Sequence, residues 1–337
     1  MPAPKKTSLK KSNMGSLPPQ RVLIVPDKFK GTLTADEAAG AIERGLRENW
    51  PNTVFTRVAL TDGGEGFARA LVGATSGQLH RAKTVDAIGR SCTAVWGVLG
   101  DGETAVLDLA SASGLAQVPL NARNPSLAST FGTGLLLRRA VKAGYSKIII
   151  GIGGSASNDG GVGLAAALGY RFLDKKGKAI PLNGAGLLSL DSIEPPAKPL
   201  RLRVVVATDV DNPLYGRNGA AYQFGPQKGA TPALVKDLDR GLRLLAEVVK
   251  RDLELDFAEA PGAGAAGGCG FGLMAFFGAR RMVGFEVLRR HLGLDALIRA
   301  HDLVITGEGA FDITSLAGKG PFRLAALSRR LKRPVWG

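Results

Sequence analysis

The run from Lys147 to Gly163 constrains this chain more than any other: Lys147-Ile-Ile-Ile-Gly151-Ile-Gly153-Gly154-Ser155-Ala-Ser157-Asn158-Asp159-Gly160-Gly161-Val-Gly163. Ile148 to Ile150 suit a strand buried on both faces, and Leu164 to Leu168 beyond the glycines suit a helix. A strand, a glycine loop and a helix in that order point to an α/β protein. Backbone N–H groups at such a helix start favour an anion, phosphate above all. No Gly-Lys-Ser/Thr closes the loop, which excludes the Walker A pattern. The dinucleotide fingerprint fits loosely as Gly151-x-Gly153-x-x-Ala156, with Asp174 about twenty residues on, but Asp174 runs into the polar turn Lys175-Lys176-Gly177-Lys178. Neither pattern accounts for Ser155, Ser157, Asn158 and Asp159 among the glycines.

At 337 residues and 45% hydrophobic, the chain can bury a core large enough for two domains. No apolar run approaches the roughly 20 residues of a membrane span, and no signal-peptide pattern opens the chain, so a soluble cytoplasmic protein is expected. Cys92 and Cys269 lack metal-ligand spacing and read as buried, inert thiols. His80, His291 and His301 have no companions at triad or metal spacing. The net charge of +15 attracts anions, while 6% aromatic content without a recognition module weighs against nucleic acid. The expected partner is a small molecule, with no nucleic acid and no membrane; oligomeric state stays open. Residues 1–20 mix Pro, Lys, Ser and Gly without periodicity and read as a disordered leader.

The ordered chain starts with a buried-type strand, Arg21 to Val25, followed by Pro26-Asp27-Lys28-Phe29-Lys30-Gly31 and a helix capped by Thr34 with Glu37. Val58 to Leu60 leads into Thr61-Asp62-Gly63-Gly64-Glu65-Gly66, two carboxylates in a glycine turn that suit a hard cation or a ligand. Thr93 to Leu99 and Thr104 to Leu109, joined by Gly100-Asp101-Gly102, form a hairpin pattern. Gly132 to Gly144 reads as a helix with a glycine stop. Val204 to Ala207 delivers Asp209 and Asp211, and Thr231-Pro232 opens a long helix just after Lys228. Pro261 to Gly268 is a second glycine-rich loop, suited equally to close helix packing and to ligand contact. Asp302 to Ile305 leads into Thr306-Gly307-Glu308-Gly309, with Asp312 and Lys319 beyond.

The repeated device is a strand ending in glycine and a carboxylate. In an open α/β sheet, Asp27, Asp62, Asp159, Asp209 and Glu308 would converge along one sheet edge. With lysines in similar loops and no nucleophile triad, that array fits phosphoryl transfer. The reaction needs a phosphate cradle, Mg²⁺ on one or two carboxylates, and positioning more than covalent chemistry. On this reading Gly153, Gly154, Ser155, Asn158, Asp159 and Lys228 bind the nucleotide. Asp27, Asp62 and Glu308 serve the metal, and Asp209, Lys30 and Glu308 serve the chemical step.

Eight blocks, among them Pro26 to Gly31, Asp62 to Gly66, Ala110 to Leu115, Gly151 to Gly161, Phe224 to Ala230 and Thr306 to Gly309, resemble the type-1 glycerate kinases in order and in wording. The resemblance runs from Val22 to the last residue. It implies phosphorylation of D-glycerate by ATP with Mg²⁺, 2-phosphoglycerate being the usual product of the type. It also implies a doubly wound, Rossmann- or flavodoxin-like parallel sheet domain interrupted by a smaller mixed α/β domain with antiparallel strands, the site lying between them. The expected division is 21–76 with 125–250 and 298–337 for the larger domain, and 77–124 with 251–297 for the smaller. The chain departs from the family pattern at Lys28, usually Ser, at Asp108, usually Glu, and at Thr314, where a Gln is expected. The competing readings are a catalytically lapsed paralogue that binds a phosphorylated metabolite and a dinucleotide-dependent oxidoreductase. Pro321 to Leu331 reads as a helix with Phe322, Leu324, Leu327 and Leu331 inward, and only Val335 and Trp336 remain for the strand that should follow. Relatives continue further, so a C-terminally shortened member of the family is expected.

Overall fold

A computed structural model describes residues 18–29, 32–61, 63–309 and 320–337. In chain order its strands are β1 (Arg21–Pro26), β2 (Val54–Arg57), β3 (Gln78–Val85), β4 (Ser91–Val98), β5 (Thr104–Asp108), β6 (Lys147–Gly151), β7 (Arg171–Leu173), β8 (Ser192–Glu194), β9 (Arg203–Ala207), β10 (Arg280–Met282), β11 (Leu303–Gly307) and β12 (Val335–Trp336). The helices are α1 (Ala35–Arg47), α2 (Phe67–Ala74), α3 (Ala110–Ser113), α4 (Phe131–Lys142), α5 (Val162–Ala167), α6 (Ala220–Phe224), α7 (Pro232–Leu253), α8 (Cys269–Phe277), α9 (Gly284–His291), α10 (Leu294–Arg299) and α11 (Gly320–Arg330).

Two sheets organise these elements. One is parallel, in the order β12-β11-β1-β2; the other is mixed, β10-β9-β6-β5-β4-β3, with β3 and β4 antiparallel; β7 and β8 form a separate small ribbon. Alternation along each strand sends side chains to two cores. Ile148 and Ile150 of β6 face a cluster that includes Leu136, Val162, Leu242 and Phe271, from α4, α5, α7 and α8. Ile149, Val106 of β5 and Ala207 of β9 face the other way. They share a core with Leu23 and Val25 of β1, Phe67 and Leu71 of α2, Leu288 of α9 and Leu324 of α11. This second cluster joins the two sheets. The outer face of the parallel sheet is covered by α1, through Val22, Ile24, Leu303 and Ile305.

Local signals hold where they were strong. Thr34 and Glu37 make a full capping box at α1, and the Thr231 hydroxyl accepts the Leu234 N–H at 3.2 Å with Pro232 in the first turn of α7. Gly144 takes φ +96° just after α4, as a glycine stop does. The hairpin is present as β4 and β5, but its place differs from the expected division. β5 is buried at every position and pairs on its far side with β6, Thr104 opposite Lys147 through Asp108 opposite Gly151. A strand buried on both faces needs a neighbour on both edges, so β6 and β9 join the hairpin rather than β1. In α11, Leu324 and Leu327 are buried as expected, but Phe322 is 44% exposed, because the buried stripe runs through the other side of the helix. Val335 and Trp336 do form a parallel edge pair with Val304 and Ile305.

Helices α4 and α5 cross closely, and that contact sets a test of packing against propensity. A Cβ added at Gly134 would lie 2.6 Å from the Leu164 carbonyl oxygen and 2.7 Å from the Ala167 Cβ, whereas one at Gly45 of α1 would meet nothing within 4 Å. Helix propensity favours alanine over glycine by about 1 kcal/mol, but overpacking costs about 1–3 kcal/mol. Gly45→Ala is therefore expected to raise the urea midpoint and Gly134→Ala to lower it. A rise in both would show that α4 has room to move off α5.

Candidate active site

The carboxyl ends of the two sheets meet through the loop after β2. Leu60 N–H donates to the Pro26 carbonyl at 3.0 Å, so the chain leaves alongside the end of β1. Three residues on, the Gly63 carbonyl accepts the Gly153 N–H at 2.9 Å, at the end of β6. Gly63 has φ +89°, and a Cβ there would sit 2.6 Å from the Ala207 carbonyl oxygen at the end of β9. A Cβ on Gly153 would in turn lie 2.7 Å from the Gly64 Cα. Glycine is required on both sides of this contact, since backbone meets backbone.

Around this junction lies a cleft of ≈ 980 Å³, lined from one side by Lys28, Phe29 and Arg57 and from the other by Glu65, Arg69 and Asp108. Asp27 and Glu308 stand one residue beyond a paired position, Pro26 opposite Gly307, and the Asp27 N–H donates to the Gly307 carbonyl at 2.8 Å. Two expected carboxylates thus leave adjacent strands side by side. Asp209 follows β9, and its Oδ1 accepts the Gly284 N–H at 2.7 Å, the first residue of α9. Its carboxylate holds a helix start in place. Lys30, Asp62, Asp312, Thr314 and Lys319 lie outside the described residues.

The glycine loop divides into two parts. Gly154, at φ +76°, is exposed and Gly153 partly so, which leaves the loop's tip open to a phosphate. From Ser155 onward the loop is buried. The Asp159 carboxylate accepts the Thr130 N–H at 2.8 Å, the Thr130 hydroxyl at 2.7 Å, and the Gly161 and Gly163 N–H groups at 3.2 and 3.3 Å. It ties the starts of α4 and α5 together, and burial pushes its pKa up despite those donors. Asp159 therefore does not stand among the strand-end carboxylates. Lys228 is only 2% exposed; its ammonium donates to Ser155 Oγ at 2.8 Å and to the Ser157 carbonyl at 2.6 Å. The Ser157 hydroxyl and both polar atoms of the Asn158 amide are buried without a partner among the described residues. Of the nucleotide-binding residues read from the sequence, only Gly153 and Gly154 face solvent; Ser155, Asn158, Asp159 and Lys228 form the loop's buried support.

The other sequence features resolve simply. Asp174 serves its own turn, accepting the Lys176 and Lys178 N–H groups at 2.8 and 2.9 Å, as a turn-forming Asp does. The second glycine loop is a packing device: a Cβ on Gly267 would lie 2.1 Å from the Ser157 carbonyl oxygen, and Gly160 N–H donates to the Gly267 carbonyl at 3.0 Å. His301 is a core histidine between the Leu297 carbonyl and the Thr56 hydroxyl. Burial pushes the Cys269 thiol up, leaving it unreactive. No helix among the described residues is long and apolar enough to cross a membrane. Asp108, Arg69 and Glu65 line the cleft; Glu65 belongs to the glycine turn already read as suiting a cation or a ligand, whereas Asp108 and Arg69 were given no site role. Asp108 ends a strand without a following glycine, and Arg69 lies inside an amphipathic helix where nothing local marks it.

Burial lowers the Lys228 pKa from 10.5 to about 8, only partly offset by the charge of Asp159. A lysine whose folded pKa is depressed binds fewer protons folded than unfolded between those values, so its contribution to stability rises with pH from about 8 to 10.5. The gain is up to about 3 kcal/mol. Denaturant titrations of wild type and Lys228→Met across this window should diverge by that rise; parallel curves would mean that the amine is not held charged in an apolar setting.

A family model described as the glycerate kinase family matches residues 22–337. The glycerate 2-kinase of Escherichia coli (strain K12) is 44% identical over 320 residues, covering 94% of this chain and 84% of that protein. The glycerate kinase of Bacillus subtilis (strain 168) is 42% identical over 320 residues with the same coverage. A crystal structure of a Salmonella typhimurium LT2 protein assigned as glycerate kinase 2 aligns with a TM-score of 0.84 at 43% identity, covering 94% of this chain and 85% of that one. With the strand-end carboxylates and glycine loop described above, these matches settle the relationship: the chain belongs to the glycerate kinase family.

Proposed function

We propose that this chain transfers the γ-phosphoryl group of ATP to the 2-hydroxyl of D-glycerate, with Mg²⁺, in the cleft between the two sheets. One observation carries the reading: beside the loop that joins the ends of β1, β6 and β9 lies a cleft bordered by the cations Lys28, Arg57 and Arg69 and the carboxylates Glu65 and Asp108. The names of the E. coli and B. subtilis relatives supply the substrate. The cytoplasmic location expected from the sequence belongs to the same reading.

The donor set suits magnesium. Among the described residues no three His, Cys, Asp or Glu side chains cluster as an all-protein metal site. Mg²⁺ asks for less, one or two carboxylates with phosphate oxygens and water completing the shell. Asp27 and Glu308, on neighbouring strand ends, are the residues that would hold it, with Asp62 from the joining loop. When bound, the ion neutralises charge on the transferring phosphoryl group. The chain's own residues do the positioning. Gly153 and Gly154 let the polyphosphate approach the backbone, and Lys228 stiffens the loop from behind by holding Ser155 and Ser157. Asp209 stands at the end of β9 to orient the attacking hydroxyl, its own angle fixed by the Gly284 N–H. Lys30 is the cation that the sequence offers for the developing charge.

Purified protein should release ADP when supplied with D-glycerate, ATP and Mg²⁺, and should fail to do so when EDTA removes the metal. Glu308→Gln and Asp209→Asn should each cost about 10²-fold or more in turnover with the fold intact by circular dichroism, the scale of general-base and electrostatic terms. Gly154→Val should raise the KM for ATP, because a branched side chain would occupy the phosphate approach at a backbone angle it disfavours. Tight NADH binding without glycerate-dependent ADP release would overturn the kinase reading.

A further inference from the structure

Helix α2 begins without a cap of its own. Its N-cap residue is Gly66, at φ +85°, with no side chain to accept the first free N–H groups. The acceptor comes from another element: Asp108, the last residue of β5, takes the Gly66 N–H at 3.1 Å on Oδ2 and the Ala68 N–H at 2.7 Å on Oδ1. Asp108 is 6% exposed, borders the cleft and pairs across the ladder with Gly151, where the glycine loop starts. One carboxylate therefore links the ends of β5 and β6 to the turn that carries Glu65 into the cleft, two residues after Gly63 meets the ends of β6 and β9.

A neutral amide offers one acceptor oxygen where the two N–H groups use two, so the carboxylate serves the turn better even though burying it ionised is expensive. Burial raises the Asp108 pKa from 3.8 to about 7; the neighbouring Glu65 adds to the rise, while the two N–H donors and Arg69 oppose it. Across the cleft the further charged groups are Lys28, Asp36, Glu37 and Arg57. A helix cap that changes charge near neutrality, on a wall of the cleft, does more than end a helix.

We propose that Asp108 is a positioning residue for phosphoryl transfer: as a carboxylate it holds the Gly63–Ala68 turn in its closed geometry against β6 and β9, and on protonation it loosens that turn. The inference rests on the kinase reading for its activity arm alone. The signs of the two consequences are opposite. A carboxyl whose folded pKa is raised binds more protons folded than unfolded, so Asp108 makes stability fall as pH rises from about 4 to about 7. Activity should instead rise over the upper part of that window, as the anchoring form accumulates.

The test compares wild type, Asp108→Asn and Asp108→Glu by two readouts. The first is the pH profile of kcat/KM for glycerate between pH 5.5 and 9. Wild type should show an acidic limb with its midpoint near neutrality; Asp108→Asn should lose that limb and run about tenfold or more lower on the plateau, mainly in kcat; Asp108→Glu should restore a limb. The second is amide hydrogen exchange over residues 63–70, read without turnover. Protection there should fall as pH drops below 7 in wild type, after correction for the intrinsic exchange rate, and should be low and pH-independent in Asp108→Asn. If wild type shows no glycerate-dependent ADP release, the kinase reading fails while the exchange experiment still judges the anchor. An unchanged limb together with unchanged protection in Asp108→Asn would overturn the proposal.

Discussion

The close approach of two backbone segments at Gly63 is the contact on which the rest of the site depends. Its Cβ position is filled by the Ala207 carbonyl oxygen, and its own carbonyl oxygen accepts the Gly153 N–H. No side chain takes part, so the distance between the ends of β6, β9 and the β2 loop is set by main-chain dimensions. The same loop runs beside Pro26 at the end of β1. Residues that follow strands of two separate sheets, Lys28 after β1 and Asp108 at the end of β5, thereby border one cleft, an arrangement that a single sheet edge would give by topology alone.

Beneath that junction sits polar machinery that faces the interior. Asp159 gathers four donors from the starts of α4 and α5, and Lys228 spans Ser155 and Ser157. Both are charged groups in an apolar setting, which costs stability that a hydrophobic pair of like volume would not. What they provide is a fixed shape: the glycine loop is held from below by directional bonds while its tip at Gly154 stays open. Sliding of the loop would break several hydrogen bonds at once, so the shape of its tip is set before any ligand arrives.

Much of this was legible in the chain. The capping box at Thr34, the Thr231-Pro232 helix start, the β4–β5 hairpin and the buried strand at Ile148 to Ile150 each rest on local chemistry, and each stands in the structure. The Asp27 and Glu308 strand ends were legible for the same reason. What was not legible is which strand lies beside which. β5 reads as a hairpin strand, and only its burial on both faces shows that it needs β6 as a second neighbour. The accessibility of the glycine loop was equally hidden, because Ser155, Asn158 and Asp159 carry ligand-like side chains whose inward direction is decided by α4, α5 and Lys228, elements remote in sequence. Asp108 was marked only as a departure from the family pattern, and its role stayed hidden because its partners, the N–H groups of Gly66 and Ala68, lie about forty residues away and belong to a helix whose own cap is a glycine.

Catalysis is proposed to take place where the Leu60–Gly66 loop joins the two sheets. A crystal structure with Mg²⁺, a non-hydrolysable ATP analogue and D-glycerate tests it most directly. The polyphosphate is expected against Gly153 and Gly154, the metal at Asp27 and Glu308, and glycerate within the cleft bordered by Lys28, Glu65 and Asp108. Nucleotide bound at a distance from Gly154, with the cleft occupied by solvent alone, would contradict it.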